Sequence, residues 1–244
     1  MPKKVYFDAG HGGSDPGAVK YVKEAEVAIK VVKAACKYLK DNYTCEVHQD
    51  ITPDSTHTIA ARANKWKADL FVSVHFNAGG GDGYECFLFD KSNLKLGQCF
   101  EKRVKEAGQN SRGVKYDPTL NVLRLTNMKA ILNEIAFVDN KKDIRDWDED
   151  SELKVMGNAL AKAAADWLNL PKKKKLSVNS KKTLKVGSKV KIKSGAEDLN
   201  TKKAYSDFVY KTTYTVISIS GDRVVFGLNG KITGATSKSN ITLA

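Results

Sequence analysis

The chain has 244 residues, 41% of them hydrophobic, enough for a real core in one large domain or in one medium and one small domain. No apolar run approaches the ~20 residues of a membrane span, which excludes a membrane-spanning class. The net charge of +13 is unevenly spread, because residues 1–170 carry 25 Lys+Arg against 24 Asp+Glu and the rest carry 16 against 4. The basic character therefore belongs to the tail, which calls for an anionic partner: nucleic acid, a lipid surface or an acidic polymer.

Met1-Pro2-Lys3-Lys4 runs straight into the apolar stretch Val5-Tyr6-Phe7-Asp8-Ala9. Nothing there reads as a secretory signal, so the expectation is a product made in the cytoplasm that reaches its target after release or by another export route. The strand enters the glycine turn Gly10-His11-Gly12-Gly13. A helix is predicted over 24–41, with Val27, Val31, Ala34, Ala35, Tyr38 and Leu39 on one face and lysines on the other. A short strand over 45–49 and a helix over 58–67 follow, the helix turning Ile59, Ala63 and Trp66 inward. Next come the strand Leu70-Phe71-Val72-Ser73-Val74-His75-Phe76-Asn77, a glycine turn over 79–83 and a strand over 84–89. Ser92 is expected to cap a helix carrying Leu96, Phe100, Val104 and Ala107. A loop containing Pro118 leads to the strand Ala130-Ile131-Leu132-Asn133-Glu134-Ile135-Ala136, and a last helix spans about 151–168.

Alternating strands and helices predict an α/β domain over 1–170 with a mostly parallel sheet flanked by helices. Pro171 and the run Lys172–Lys175 break the pattern, so 171–182 reads as a basic linker. In 183–244, Val190 and Ile192 alternate with lysines, and Gly221-Asp222 and Asn229-Gly230 are turn signals, which predicts a small all-β domain. Cys36, Cys45, Cys86 and Cys99 form no CxxC pair and read as small reduced core residues.

Three of the strands are continuous apolar runs, as expected of strands buried on both faces of a parallel sheet. Each carries a reactive side chain at or just past its C-terminal end, where open α/β sheets bind ligands, so His11, His75 and Glu134 are expected to converge on one crevice. Alone, either histidine is more often a turn or core residue. An ionised Glu134 among aliphatics needs a metal, a proton or a partner. Two histidines and a carboxylate suggest a zinc site with one position open for water, although such a set also holds other divalent ions. Neither GxxxxGK[ST], GxGxxG, HExxH nor GxSxG occurs, which argues against phosphate-loop, dinucleotide, zincin-helix and serine-hydrolase readings.

Four ordered stretches resemble the zinc-dependent N-acetylmuramoyl-L-alanine amidases of the amidase-3 family. Asp8-Ala9-Gly10-His11-Gly12-Gly13-Ser14-Asp15-Pro16-Gly17-Ala18 is similar to the family's D-P-G-H-G-G-x-D-x-G-A, and Glu24-Ala25-Glu26-Val27 to its E-K-D-V. Residues 68–78 are similar to A-D-L-F-V-S-I-H-x-N-A, and 132–140 to L-x-E-x-G-F-x-x-N. The resemblance covers about 3–170 and departs at Ala9 for Pro and Ala136 for Gly. It implies His11, Glu24 and His75 as zinc ligands, with Glu26 the competitor for the third place, and Glu134 as the catalytic carboxylate that takes a proton from zinc-bound water. It implies cleavage of the amide between N-acetylmuramic acid and L-alanine. Asn77 reads as a substrate contact or a support behind the site residues and, equally, as a turn residue, and His48 and His57 as surface residues.

The tail is similar in size and β-content to the SH3-like wall-binding modules of phage and bacterial wall hydrolases. Together these imply a phage-type endolysin acting on peptidoglycan, its tail drawn to anionic wall polymers, with no role in nucleic-acid binding. A zinc peptidase cutting within the stem peptide, a non-catalytic wall binder and a nucleic-acid binder are the competing readings; a host autolysin is the alternative origin.

Overall fold

The computed structural model describes residues 1–173 and 184–244, in two compact units, Met1–Lys174 and Lys175–Ala244. In the first unit, β1 (Lys4–Ala9), α1 (Glu24–Asn42), β2 (Glu46–Asp50), α2 (Thr56–Trp66), β3 (Leu70–Asn77) and β4 (Tyr84–Leu88) follow one another. Then come α3 (Leu94–Glu106), β5 (Ser111–Tyr116), α4 (Asn121–Arg124), β6 (Lys129–Phe137), α5 (Lys141–Ile144) and α6 (Asp150–Trp167). The strand order is β2-β1-β3-β6-β4-β5. The first four strands run parallel; the direction reverses between β6 and β4, and β5 follows β4. The sheet is thus mostly parallel and flanked by helices.

Strand alternation sorts the side chains onto two faces. Val5, Phe7, Val72, Val74, Ile131 and Ile135 face the large core shared with α1, α3 and α6. Tyr6, Phe71 and Leu132 face a smaller cluster with Ile59 and Ala63 of α2 and Val122 and Leu123 of α4. One pleat further along the same face, the side chains become polar: Asp8, Ser73, His75 and Glu134. At the β2 edge of that layer Arg62 of α2 pairs with Asp50, the register partner of Asp8, and the rest of this face is where a crevice can open.

Helices α1 and α6 approach closely at Gly157, where an added Cβ would lie 2.5 Å from the Val31 carbonyl oxygen and 2.7 Å from Ala34 Cβ. Gly157→Ala gains roughly 1 kcal/mol of helix propensity but must push two helix backbones apart. We expect a net loss of about 1–3 kcal/mol, read as a lower urea midpoint with an unchanged far-ultraviolet spectrum.

Several local expectations are corrected. The segment before Glu134 is not simply a loop, since 111–116 forms the edge strand β5, whose Ser, Arg, Gly and Lys content carries no apolar run. Asp90, not Ser92, is the capping side chain before α3: its Oδ1 accepts from the Ser92 N–H at 2.8 Å and caps a short 3-10 turn. His48 is not a free surface residue but stacks on Tyr6 with ring centroids 4.5 Å apart. The four cysteines carry free thiols, with Cys36 and Cys86 buried. Of the stretch read as linker, residues 174–182 lie outside the described residues, while Pro171 and Lys173 hydrogen-bond back to Thr44 and Asn42.

The second unit is a five-stranded, all-antiparallel sheet of β7 (Lys189–Ile192), β8 (Thr213–Ser220), β9 (Arg223–Leu228), β10 (Lys231–Ser237) and β11 (Ile241–Leu243), in the order β10-β9-β8-β7-β11. One short helix, α7 (Asp207–Lys211), precedes β8. Val190, Ile192, Tyr214, Val216, Val224 and Phe226 form its core. Asn229 and Gly230 join β9 to β10 with φ of 49° and 78°, the backbone that an Asn-Gly hairpin turn requires. None of the described helices is long and apolar enough to cross a membrane.

Candidate metal centre and active site

The structure brings His11, Glu24 and His75 together, with one ligand atom from each lying within 4.8 Å of the others. His75 comes from β3, and His11 from the turn after the neighbouring β1. Glu24 is the first residue of α1. It gives no side-chain cap to its own helix but turns its carboxylate toward the crevice. Oε1 accepts from the Phe76 N–H at 3.1 Å and meets His75 Nδ1 at 2.9 Å and His11 Nε2 at 3.2 Å. Oε2 accepts from the Ala18 N–H at 2.9 Å. Glu26 is outside the cluster, exposed and paired with Lys23 at 2.9 Å.

Glycines make this cluster possible. His11 sits at φ 62°, in the left-handed region, followed by Gly12 at 128° and Gly13 at 60°. A non-glycine residue there costs of order 1–3 kcal/mol, a strain that marks a constrained site. Asp15 closes the turn through paired backbone bonds with Gly12 and holds His11 Nδ1 at 2.8 Å from its carboxylate. That contact fixes the ring with Nε2 toward Glu24, the usual arrangement behind a ligating histidine. Gly10 provides a bare backbone against which the His75 ring lies, and a Cβ there would be 2.1 Å from Cε1.

The electrostatics of the cluster favour an added positive charge. Burial would raise the Glu24 carboxyl, but the contacts from His11 and His75 outweigh it and hold it at about 2. Contact with Glu24 lifts His11 to about 9, and His75 is also raised, because although burial pulls it down, the bond to Glu24 and the nearby charges of Glu134, Glu24 and Asp8 together outweigh it. A carboxylate that pulls protons onto two imidazoles is equally suited to a cation held between them. Imidazole nitrogen and carboxylate oxygen are the donors that zinc accepts.

Glu134 stands beside this cluster rather than in it. It pairs in register with His75 on β3 and, across the direction change, with Glu85 on β4. Its Oε2 is buried and has no hydrogen-bond partner among the described residues. Burial pushes the carboxyl up to about 7, against the pull of His75. Such a group both accepts and returns a proton near neutral pH.

Sequence reasoning assigned no role to Asp8 or Asp15, which shape the site, and left Asn77 open between a site residue and a turn residue. Asp8 is buried under the crevice, accepts from the Ser73 hydroxyl at 2.6 Å and is pushed up to about 6 by burial. Asn77 donates to Glu85 Oε1 at 2.9 Å, which ties the end of β3 to β4. Asp15 was visible in the sequence as the acid four residues after His11, a spacing that a tight turn converts into contact.

An enclosed carboxylate beside a His–Glu–His cluster, on the open face of an α/β sheet, is the equipment of a hydrolase. The profile of the N-acetylmuramoyl-L-alanine amidase family (amidase-3) matches residues 5–166, and the chain belongs to that family. It is 38% identical over 187 residues to the endolysin of Bacillus phage SPP1, covering 71% of this chain and 69% of that protein. It is 32% identical over 178 residues to the N-acetylmuramoyl-L-alanine amidase CwlM of Bacillus licheniformis, covering 69% of this chain and 70% of that one. Among solved structures, the catalytic domain of CwlV, an N-acetylmuramoyl-L-alanine amidase from Bacillus (Paenibacillus) polymyxa var. colistinus, superposes with a TM-score of 0.65 at 26% identity, over 69% of this chain and 99% of that one.

Proposed function

We propose that the chain is a zinc-dependent peptidoglycan amidase that cleaves the bond between N-acetylmuramic acid and the L-alanine of the stem peptide, in the manner of a phage endolysin. In this reading 1–170 is the catalytic part, 171–182 the basic linker and 183–244 an SH3-like wall binder. The observation that carries the zinc reading is the cluster of His11, Glu24 and His75, whose charge balance calls for a cation. His11, Glu24 and His75 would hold the ion, with Asp15 and Gly10 fixing the two rings.

When bound, zinc lowers the pKa of a coordinated water toward ~7 and polarises a carbonyl. Glu134 takes the proton released as water attacks the lactyl carbonyl. Glu134 returns that proton to the nitrogen of L-alanine as the C–N bond breaks, so that it departs as a neutral amine. Its raised affinity for a proton suits both halves of the transfer.

The tail reading rests on charge, with 16 Lys+Arg against 4 Asp+Glu after residue 170. Anionic wall polymers would attract it, and salt would weaken the attraction.

End-group analysis of digested walls tests the reading. We expect new N-terminal alanine, abolished by a chelator and restored by zinc. A different new amino terminus would move the cut into the stem peptide, and no new amine on any wall type would leave a binder without catalysis.

A further inference from the structure

Next to Glu134, on the strand that runs the other way, lies a charged cluster for which the hydrolytic step has no use. Glu85 is almost fully buried, with 5% of its side chain exposed. Its Oε2 accepts from Arg112 Nε at 2.7 Å and from Lys115 Nζ at 2.5 Å, and its Oε1 from Asn77. Burial would raise the Glu85 carboxyl, but the Lys115 and Arg112 contacts prevail and keep it below the usual range. Glu85 is therefore an anion facing two cations, and the cluster carries one positive charge in excess.

The cations reach the surface while the acid does not. The Arg112 and Lys115 side chains are 41% and 39% exposed. Arg112 spends only Nε on Glu85, and its guanidinium lies over the Phe137 ring at 5.1 Å. Its two Nη groups have no protein partner among the described residues. A guanidinium gripped at Nε and at one face, with its terminal edge open, is preorganised for a planar carboxylate. Neutralising Glu85 alone would need one cation, not two.

We infer that Arg112, assisted by Lys115 and positioned by Glu85, binds a carboxylate on the peptide side of the scissile amide: the α-carboxylate of the second stem residue. This assignment rests on the amidase reading. The glycan side offers neutral acetamido sugars, whereas the residue after L-alanine is a D-glutamate linked through its γ-carboxyl, so its α-carboxylate is free unless the wall amidates it. The spacing agrees. Two residues of peptide reach roughly 7 Å from the scissile carbonyl. Glu85 pairs with Glu134 one strand, about 5 Å, away, and the guanidinium is at hydrogen-bond distance from Glu85.

The test compares muramoyl-L-alanyl-D-isoglutamate with muramoyl-L-alanyl-D-isoglutamine, the same dipeptide with the carboxylate converted to an amide. The wild-type chain should prefer the carboxylate form by about tenfold or more in kcat/KM, the contribution of one charge-assisted hydrogen bond. Arg112→Gln should bring the ratio close to one, mainly through KM, and Arg112→Lys should keep part of it. Zinc-dependent thermal stabilisation of each variant shows that the unit is folded and its metal cluster intact. If Arg112→Gln keeps the wild-type ratio, or the wild type shows no preference, the subsite is overturned while the amidase reading stands. Release of an alanyl dipeptide from neither substrate by the zinc-loaded wild type overturns both.

Discussion

Glu134→Gln is expected to lower kcat by about 10²–10⁴-fold while leaving zinc affinity near the wild-type value. The substitution keeps the shape of the side chain, so the register with His75 and Glu85 has no reason to change. What it removes is the basic oxygen. Oε2 is buried with no partner among the described residues, and an amide there can neither take a proton from water nor deliver one to the leaving amine. Metal binding should survive because the cluster within 4.8 Å consists of His11, Glu24 and His75. Kinetics on soluble muramoyl peptides and zinc titration of the same sample separate the two effects. If zinc affinity fell with the rate, Glu134 would be a ligand and the assignment of Glu24 would have to be revisited.

Gly10→Ala is expected to reduce zinc affinity by about 100-fold or more, although the residue contributes no ligand atom. The added carbon would stand 2.1 Å from His75 Cε1, 2.3 Å from Nδ1 and 2.5 Å from Nε2. The imidazole has no easy retreat, because Glu24 holds Nδ1 at 2.9 Å and the rest of β3 is fixed by its neighbours in the sheet. Either the ring leaves its rotamer or the turn after β1 moves, and with it His11. Competition with a chromophoric chelator reads the affinity, and activity should recover in part at high zinc. Wild-type affinity in this variant would show that the turn yields easily and that the bare backbone at Gly10 is no constraint.

The strands were the legible part of the molecule. The continuous apolar runs through β1, β3 and β6 announce burial on both faces, and a reactive residue at the end of each run is what brings His11, His75 and Glu134 to one crevice. Glu24 could not be read that way. It looks like any acid in a first helical turn, and only the similarity to the family's motif picked it out over Glu26. The structure separates the two by contact, with Glu24 against both histidines and Glu26 paired with Lys23. Glu85 and its cations were invisible for another reason. β5 is a polar edge strand without periodic apolar residues, and a pairing between residues 85, 112 and 115 exists only once β4 and β5 lie side by side. His48 was misread because stacking on Tyr6 is a tertiary contact with no local signature.

The change of direction between β6 and β4 divides the crevice into two inheritances. The histidines and Glu134 come from the parallel half, where any shift of a strand would disturb the reaction itself. Glu85, Arg112 and Lys115 come from the antiparallel border, whose strand neighbour in the rest of the sheet is β6. On the proposed reading, mutations at that border would alter which peptide is welcomed without touching the machinery that cuts it. Among relatives that meet differently amidated walls, diversity should therefore gather on β4 and β5, and an engineer wishing to retarget the enzyme would begin at the same edge.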